Sequence, residues 1–177
     1  TLICASIIDY RNFGATNNYE NSAIRAWLSG KTVYGLSDDS GWFLNTAFTL
    51  NQRKKIQSNN IDNSSESTGF NAGTNPYACE NTLGDRVFLL SHKEAIDQKY
   101  NINSLPARKR VTSDYTRALG IFTDQYDKTG DWWLRSPDWN TNYKVQAIGT
   151  DGSIVSGAYP PQTTSQQGVV PALWLNW

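Results

Sequence analysis

Asp124, Asp127, Asp131 and Asp138 fall close together in the chain. Paired carboxylates are what a glycoside hydrolase needs, one to protonate the leaving oxygen and one to attack or to activate water. A plainer reading competes. The stretch from Asp124 to Asp131 is polar and turn-rich, and an Asp side chain there mimics the backbone of a turn. We take the turn reading and expect no hydrolase. His92 is the only histidine, so neither a zinc site with several His ligands nor a His-centred triad is easily built. It follows the helix-capping residue Ser91 and reads as a surface helix residue. Cys4 and Cys79 belong to no CxxC or metal-ligand pattern, and both a pair of buried free thiols and a single disulfide remain open. The Asp residues lack EF-hand spacing, and the Glu-Pro-Asn and Trp-Asn-Asp patterns of sugar-binding lectins are missing. No catalytic residue, metal or cofactor is expected, and the chain reads as a non-enzyme.

Recognition is the chemistry that remains. Two polar stretches, residues 138–143 and 159–164, carry Trp, Tyr, Asn, Thr and Gln, which cannot enter a core without stranding polar groups. Aromatic side chains give contact area and short amides give adaptable hydrogen bonds. Trp139, Asn140, Asn142, Tyr143, Tyr159 and Gln162 are therefore the candidate ligand-binding residues, although exposed aromatics can equally prop up a loop. Arg135, beside Trp132 and Trp133, is suited to bracing by stacking or by pairing with a carboxylate; ligand contact is the alternative.

Stiff elements must hold these loops. Residues 132–137 and 168–174 are rich in aromatic and β-branched side chains and read as buried strands on either side of them. Pro171 should sit at an edge or a bulge. Residues 145–149 alternate polar and apolar up to Thr150-Asp151-Gly152-Ser153, where Asp-Gly signals a hairpin returning through Ile154 and Val155. Earlier in the chain, residues 2–6 read as a strand. Ser22 and Gly30 bracket a short helix whose Ile24, Trp27 and Leu28 share a core face. Helical turns follow over residues 42–48 and 50–57, with Thr49 as a cap. Residues 58–84 read as a long Ser- and Asn-rich loop anchored by Phe70 and Tyr77. The Asn63-Ser64-Ser65 sequon within it is read as chance. A buried strand over 86–90 then meets a capping box at Ser91 and Glu94, opening a helix to about Tyr100. A basic patch, Arg108-Lys109-Arg110, precedes a last short helix over 112–120.

At 177 residues the chain suits one domain. Its sixteen basic and sixteen acidic side chains cancel, so no large field steers it to nucleic acid or anionic lipid. The hydrophobic fraction, 38%, is low, and seven Trp with nine Tyr must supply much of the burial. No run approaches the roughly 18 apolar residues of a membrane helix, so no membrane insertion is expected. The lack of any Met, with a strand at the very start, suggests a piece of a longer secreted chain.

Several segments resemble a bacterial domain family of unassigned function found in secreted and surface proteins. Its short helix S-x-I-R-x-W-L-N is matched by Ser22, Ile24, Arg25, Trp27 and Leu28, with Ser29 in place of Asn. Its strand-to-helix join D-x-V-F-L-L-S-x-x-E-A is matched by Asp85, Val87 to Ser91, Glu94 and Ala95. Its ending W-W-L-R-S-P is matched by Trp132 to Pro137, and G-V-R-P-A-L-W by Gly168, Val169 and Pro171 to Trp174, with Val170 where the family has Arg. The family's additional first strand, W-x-V-L, has no counterpart here. The ending is also similar to C-type-lectin-like folds of the formylglycine-generating-enzyme type, including the variable proteins of diversity-generating retroelements. The resemblance implies an α+β, C-type-lectin-like domain with a small, mostly antiparallel sheet, several short helices and binding loops at 138–143 and 158–165. It implies a bacterial or phage surface location and a protein or glycan ligand. The alternative is a structural module of a surface or filament assembly, packed on neighbouring domains or subunits without a ligand of its own.

Overall fold

The computed structural model describes residues 1–30, 42–70, 73–159 and 165–176, and only the backbone of residues 157–159. Three short strands open the chain: β1 (Leu2–Ile3), β2 (Ser6–Ile7) and β3 (Asp9–Asn12). A 3-10 turn at Tyr19–Asn21 leads into α1 (Ala23–Ser29). Both ends of α1 follow from sequence. Ser22 Oγ accepts the Arg25 N–H, and Gly30 closes the helix at φ 65°, a left-handed conformation natural to glycine. Next come α2 (Phe43–Ala47) and α3 (Leu50–Lys55), the latter opened by a reciprocal cap between Thr49 and Gln52.

The stretch 58–84, expected as a loop, is instead built from β4 (Asn59–Ile61), α4 (Ser65–Thr68) and β5 (Thr82–Asp85). β4 pairs antiparallel with β5. Asn63 is fully buried between them, its N–H donating to Asn81 Oδ1 at 2.7 Å and its side-chain amide to Glu80 O at 2.9 Å. Asn and Ser signal turns because they bond nearby backbone, and here those same bonds close a compact excursion. The chain continues through β6 (Val87–Phe88) into α5 (His92–Ile96), capped by Ser91 and Glu94 as expected. α5 stops short of Tyr100, because Asp97 caps a separate 3-10 turn, Gln98–Tyr100. After α6 (Leu105–Arg108), β7 (Val111–Thr112) and α7 (Asp114–Ala118), the C-terminal part supplies β8 (Trp132–Pro137), β9 (Val145–Ile148), β10 (Ile154–Tyr159), β11 (Gln166–Val169) and β12 (Ala172–Leu173).

The architecture is α+β, with several short helices around small sheets and, among the described residues, no barrel. Five strands form the largest sheet in the order β10-β9-β8-β11-β3, antiparallel except for the β8–β11 contact. A three-stranded antiparallel sheet runs β1-β12-β6, and the pairs β2–β7 (parallel) and β4–β5 (antiparallel) complete the set. The single last strand expected over 168–174 is divided at Pro171. Lacking an N–H, Pro171 cannot continue a ladder; its carbonyl accepts the Cys4 N–H at 3.0 Å while the chain crosses between sheets.

β8 is buried along its whole length. Strand alternation sends Trp132 and Leu134 into one cluster, with Ile7, Phe88 and Leu90, and Trp133 into another, with Phe13, Tyr19 and Leu28. This explains why Trp132, Trp133 and Leu134 follow one another with no polar residue between them. β9 is buried on both faces too, contrary to the expected alternation, because Gln146 finds partners inside. Val170 is fully enclosed in the first cluster, an alkyl group packed where an Arg was the pattern. Trp27 and Trp174 are only half-buried, Trp174 lying 4.5 Å from the Phe88 ring at the core margin.

The Asp-Gly hairpin between β9 and β10 forms as the sequence dictates. Gly152 has φ 84°, and a Cβ there would lie 1.9 Å from Leu105 O. Gly152→Ala is therefore expected to destabilise the fold by roughly 2–3 kcal/mol, read as a lower urea midpoint. An unchanged midpoint would contradict this packing.

Candidate functional site

Asp138 directly follows β8 and is fully buried, although the sequence placed it in a surface loop. Its N–H donates to Lys144 O at 2.9 Å, its Oδ2 accepts the Thr141 hydroxyl at 2.9 Å, and its Oδ1 accepts the Ser156 hydroxyl from β10. The carboxylate that would signal an exposed turn is its anchor. Residues 139–143 are thereby held as a closed loop above the sheet.

Four predicted residues share this loop and are exposed: Trp139, Asn140, Asn142 and Tyr143. Trp139 is 37% exposed and lies parallel to Phe70, centroids 5.4 Å apart and planes at 17°. Phe70 in turn meets His92 edge-on at 5.3 Å. Tyr143 is 54% exposed. Of the other two, Tyr159 ends β10 opposite Val145, which also faces Pro137, so its backbone reaches the same end of the sheet. Its side chain, Gln162 and most of the second predicted loop lie outside the described residues. Phe70 serves as the anchor expected of it, whereas Tyr77 is exposed.

His92 is not a surface residue: it is 1% exposed, beneath Phe70. Its backbone N–H donates to Ser136 Oγ at 2.9 Å, and its Nδ1 lies 2.7 Å from Gln146 Oε1. Gln146 Nε2 donates to Thr68 O and Pro137 O, which turns its oxygen toward the imidazole. Nδ1 therefore carries the hydrogen, and the enclosed Nε2 has no hydrogen-bond partner among the described residues. A capping box tells where a helix begins, not which face packs inward.

Burial holds the His92 pKa below the ordinary histidine value; the bond to Gln146 opposes this and the Arg108 charge adds to it. The folded state thus binds fewer protons than the unfolded one, so stability is full above about pH 6.5 and falls on acidification. The slope is at most about 1.4 kcal/mol per pH unit. Urea midpoints between pH 5 and 8 should show this fall in the wild type and a flatter profile in His92→Gln. Parallel profiles would reject it.

The remaining candidates have structural partners. Asp124 accepts the N–H groups of Tyr126 and Asp127 at 2.9 and 3.1 Å, Asp127 bonds Lys109 and Thr129, and Asp131 accepts the Thr150 N–H at 2.8 Å. These are the bonds of turn residues. The expected basic patch is not one: Arg108 and Arg110 are buried, their guanidinium groups donating to Gly152 O and Cys4 O. Arg135 braces from the interior and does not face solvent. Cys4 and Cys79 are half-buried free thiols in separate clusters. Asn75, missed in the sequence, is buried and donates to Pro137 O at 2.9 Å, tying the 58–84 excursion beneath the loop. Among the described residues, no three or more His, Cys, Asp or Glu side chains gather to hold a metal ion, and no helix is long and apolar enough to cross a membrane.

A family model described as Domain of unknown function (DUF6273) matches residues 1–177. No curated protein and no solved structure matches the chain.

Proposed function

The chain belongs to the family described as Domain of unknown function (DUF6273), and we propose that it is a non-enzymatic recognition module whose β8–β9 loop engages a protein or glycan. The proposal includes a C-type-lectin-like fold of the formylglycine-generating-enzyme type, kinship with retroelement-diversified variable proteins, and a place on a bacterial or phage surface. One observation carries the reading: Trp139, Asn140, Asn142 and Tyr143 are exposed together on a loop fixed from below by buried Asp138. A loop already closed loses little entropy on binding, so its aromatic area and free amides convert more directly into affinity.

The test is a glycan and surface-protein array probed with and without chelator, followed by titration of each hit. Tyr143→Ala should weaken binding about tenfold or more while stability stays within about 0.5 kcal/mol. Trp139→Ala should weaken binding comparably and also cost about 1 kcal/mol, because it removes the Phe70 stack. Unchanged affinity in both variants would move the site elsewhere.

A structural role in a larger assembly is favoured by a different surface. Tyr115, Phe122 and Tyr126, within and just after α7, are 57%, 71% and 85% exposed. Apolar rings so uncovered suit a neighbouring domain or subunit. A silent array, together with assembly of the parent protein that fails in Phe122→Glu, would favour this second reading.

A further inference from the structure

We propose that the cleft between β1, β3 and α2 is a second binding site, which takes a straight-chain alkanoate with its carboxylate on Arg11 and its chain along an apolar floor. The cleft has a volume of about 500 Å³ and is floored by Leu2, Ile3, Phe43, Phe48 and Leu173. A second hollow of about 250 Å³ shares Leu2, Phe48 and Leu173 and extends the floor to Ile56 and Leu175. Both sizes suit small ligands rather than a protein face.

Arg11 stands at the polar end. Its Nε donates to Asp9 Oδ2 at 2.8 Å, and its guanidinium carbon lies 4.1 Å from the centroid of the Trp27 ring. Asp9 is itself fixed, its other oxygen accepting the Tyr10 N–H at 2.7 Å. Held by a carboxylate and a ring, the guanidinium keeps both terminal NH2 groups without a hydrogen-bond partner among the described residues. That fork matches the two oxygens of one carboxylate. Asp9 offsets the local positive charge, so the site favours a single carboxylate over a multiply charged phosphate. The apolar remainder favours an alkyl chain over a small hydrophilic acid.

An added peptide strand fits less well. Arg11 O already accepts the Trp133 indole N–H at 2.9 Å and the Tyr10 N–H is taken by Asp9, so neither group is open to an added strand. The site does not rest on recognition by the β8–β9 loop.

Calorimetric titration with hexanoate, octanoate, decanoate and 1-octanol tests the proposal. Affinity should rise about fourfold for each methylene buried. Octanoate should bind at least about tenfold tighter than 1-octanol. Arg11→Gln, checked by its melting curve for a folded state, should erase that difference, and Arg11→Lys should retain part of it. Cys4 lines the same cleft, so decanoate should slow its alkylation by iodoacetamide and leave Cys79 unaffected. Equal binding of octanoate and 1-octanol, no decanoate binding at millimolar concentration, or an unprotected Cys4 would each overturn the assignment.

Discussion

Arg135→Ala is expected to remove about 3–5 kcal/mol of stability, measured as a fall in the urea midpoint. The side chain is 1% exposed, and its guanidinium donates to Asn63 Oδ1 at 3.0 Å, Leu89 O at 2.6 Å, Asp62 O at 2.9 Å and the Glu94 carboxylate. Those acceptors come from the 58–84 excursion, the chain after β6, and α5. One planar fork thus ties three otherwise separate segments to β8. Truncation strands the Asn63 and Leu89 oxygens in a space that water enters poorly, while Glu94 keeps the Ser91 N–H, and an unpaired buried acceptor costs more than the bond itself contributed. Arg135→Lys keeps the charge but cannot reach four acceptors, so it should recover less than half of the loss. A loss below about 1 kcal/mol in the alanine variant would mean that the network is not what holds β8. The same variant bears on recognition, because β8 leads directly into Asp138 and with it the loop. Affinity for an array ligand should fall in Arg135→Ala even under conditions where most molecules stay folded.

The local part of this fold is legible in its sequence because local signals have local causes. Ser22 with Gly30, the Thr49 cap, Ser91 with Glu94 and Asp151-Gly152 each satisfy or redirect backbone groups within a few residues, and each does so as read; only the return bond from Gln52 to Thr49 goes beyond the reading. What stays hidden depends on distant partners. His92 and Gln146 look polar and exposed until each supplies the other's hydrogen bond across 54 positions. Arg108 and Arg110 look like a charged patch until the carbonyls of Gly152 and Cys4 receive them. Strand order is hidden as well. The parallel contact of β11 with β8 needs Gly168, where a Cβ would lie 2.7 Å from both Asp131 O and the Ile7 side chain. The candidate site divides in the same manner. Composition identifies the exposed residues Trp139, Asn140, Asn142 and Tyr143, but not the floor beneath them. Asp138 turns inward because Ser156 and Thr141 offer hydroxyl groups that no short window around it reveals together.

Asp85→Ala should be comparably damaging, at about 3–5 kcal/mol, for a related reason. Asp85 is fully buried and accepts both Nε and an NH2 group of Arg25 at 2.9 Å, together with the Thr82 hydroxyl at 2.7 Å. The pair links α1 to β5 across 60 positions. Removing the carboxylate leaves the Arg25 guanidinium, itself 9% exposed, with Glu20 O as its remaining hydrogen-bond acceptor among the described residues. The cost is chiefly that of a stranded charge, and this can be tested apart from the attraction. In Arg25→Met/Asp85→Ala neither charge remains, so the double variant should be more stable than Asp85→Ala, with a coupling of roughly 2–3 kcal/mol in a double-mutant cycle closed by Arg25→Met. Because the carboxylate is out of contact with solvent, the loss in Asp85→Ala should be nearly the same in 0.05 M and 1 M NaCl, whereas a surface pair would be screened. A strong salt dependence, or single-variant losses that simply add, would show that Arg25 and Asp85 stabilise the fold independently rather than as one buried unit.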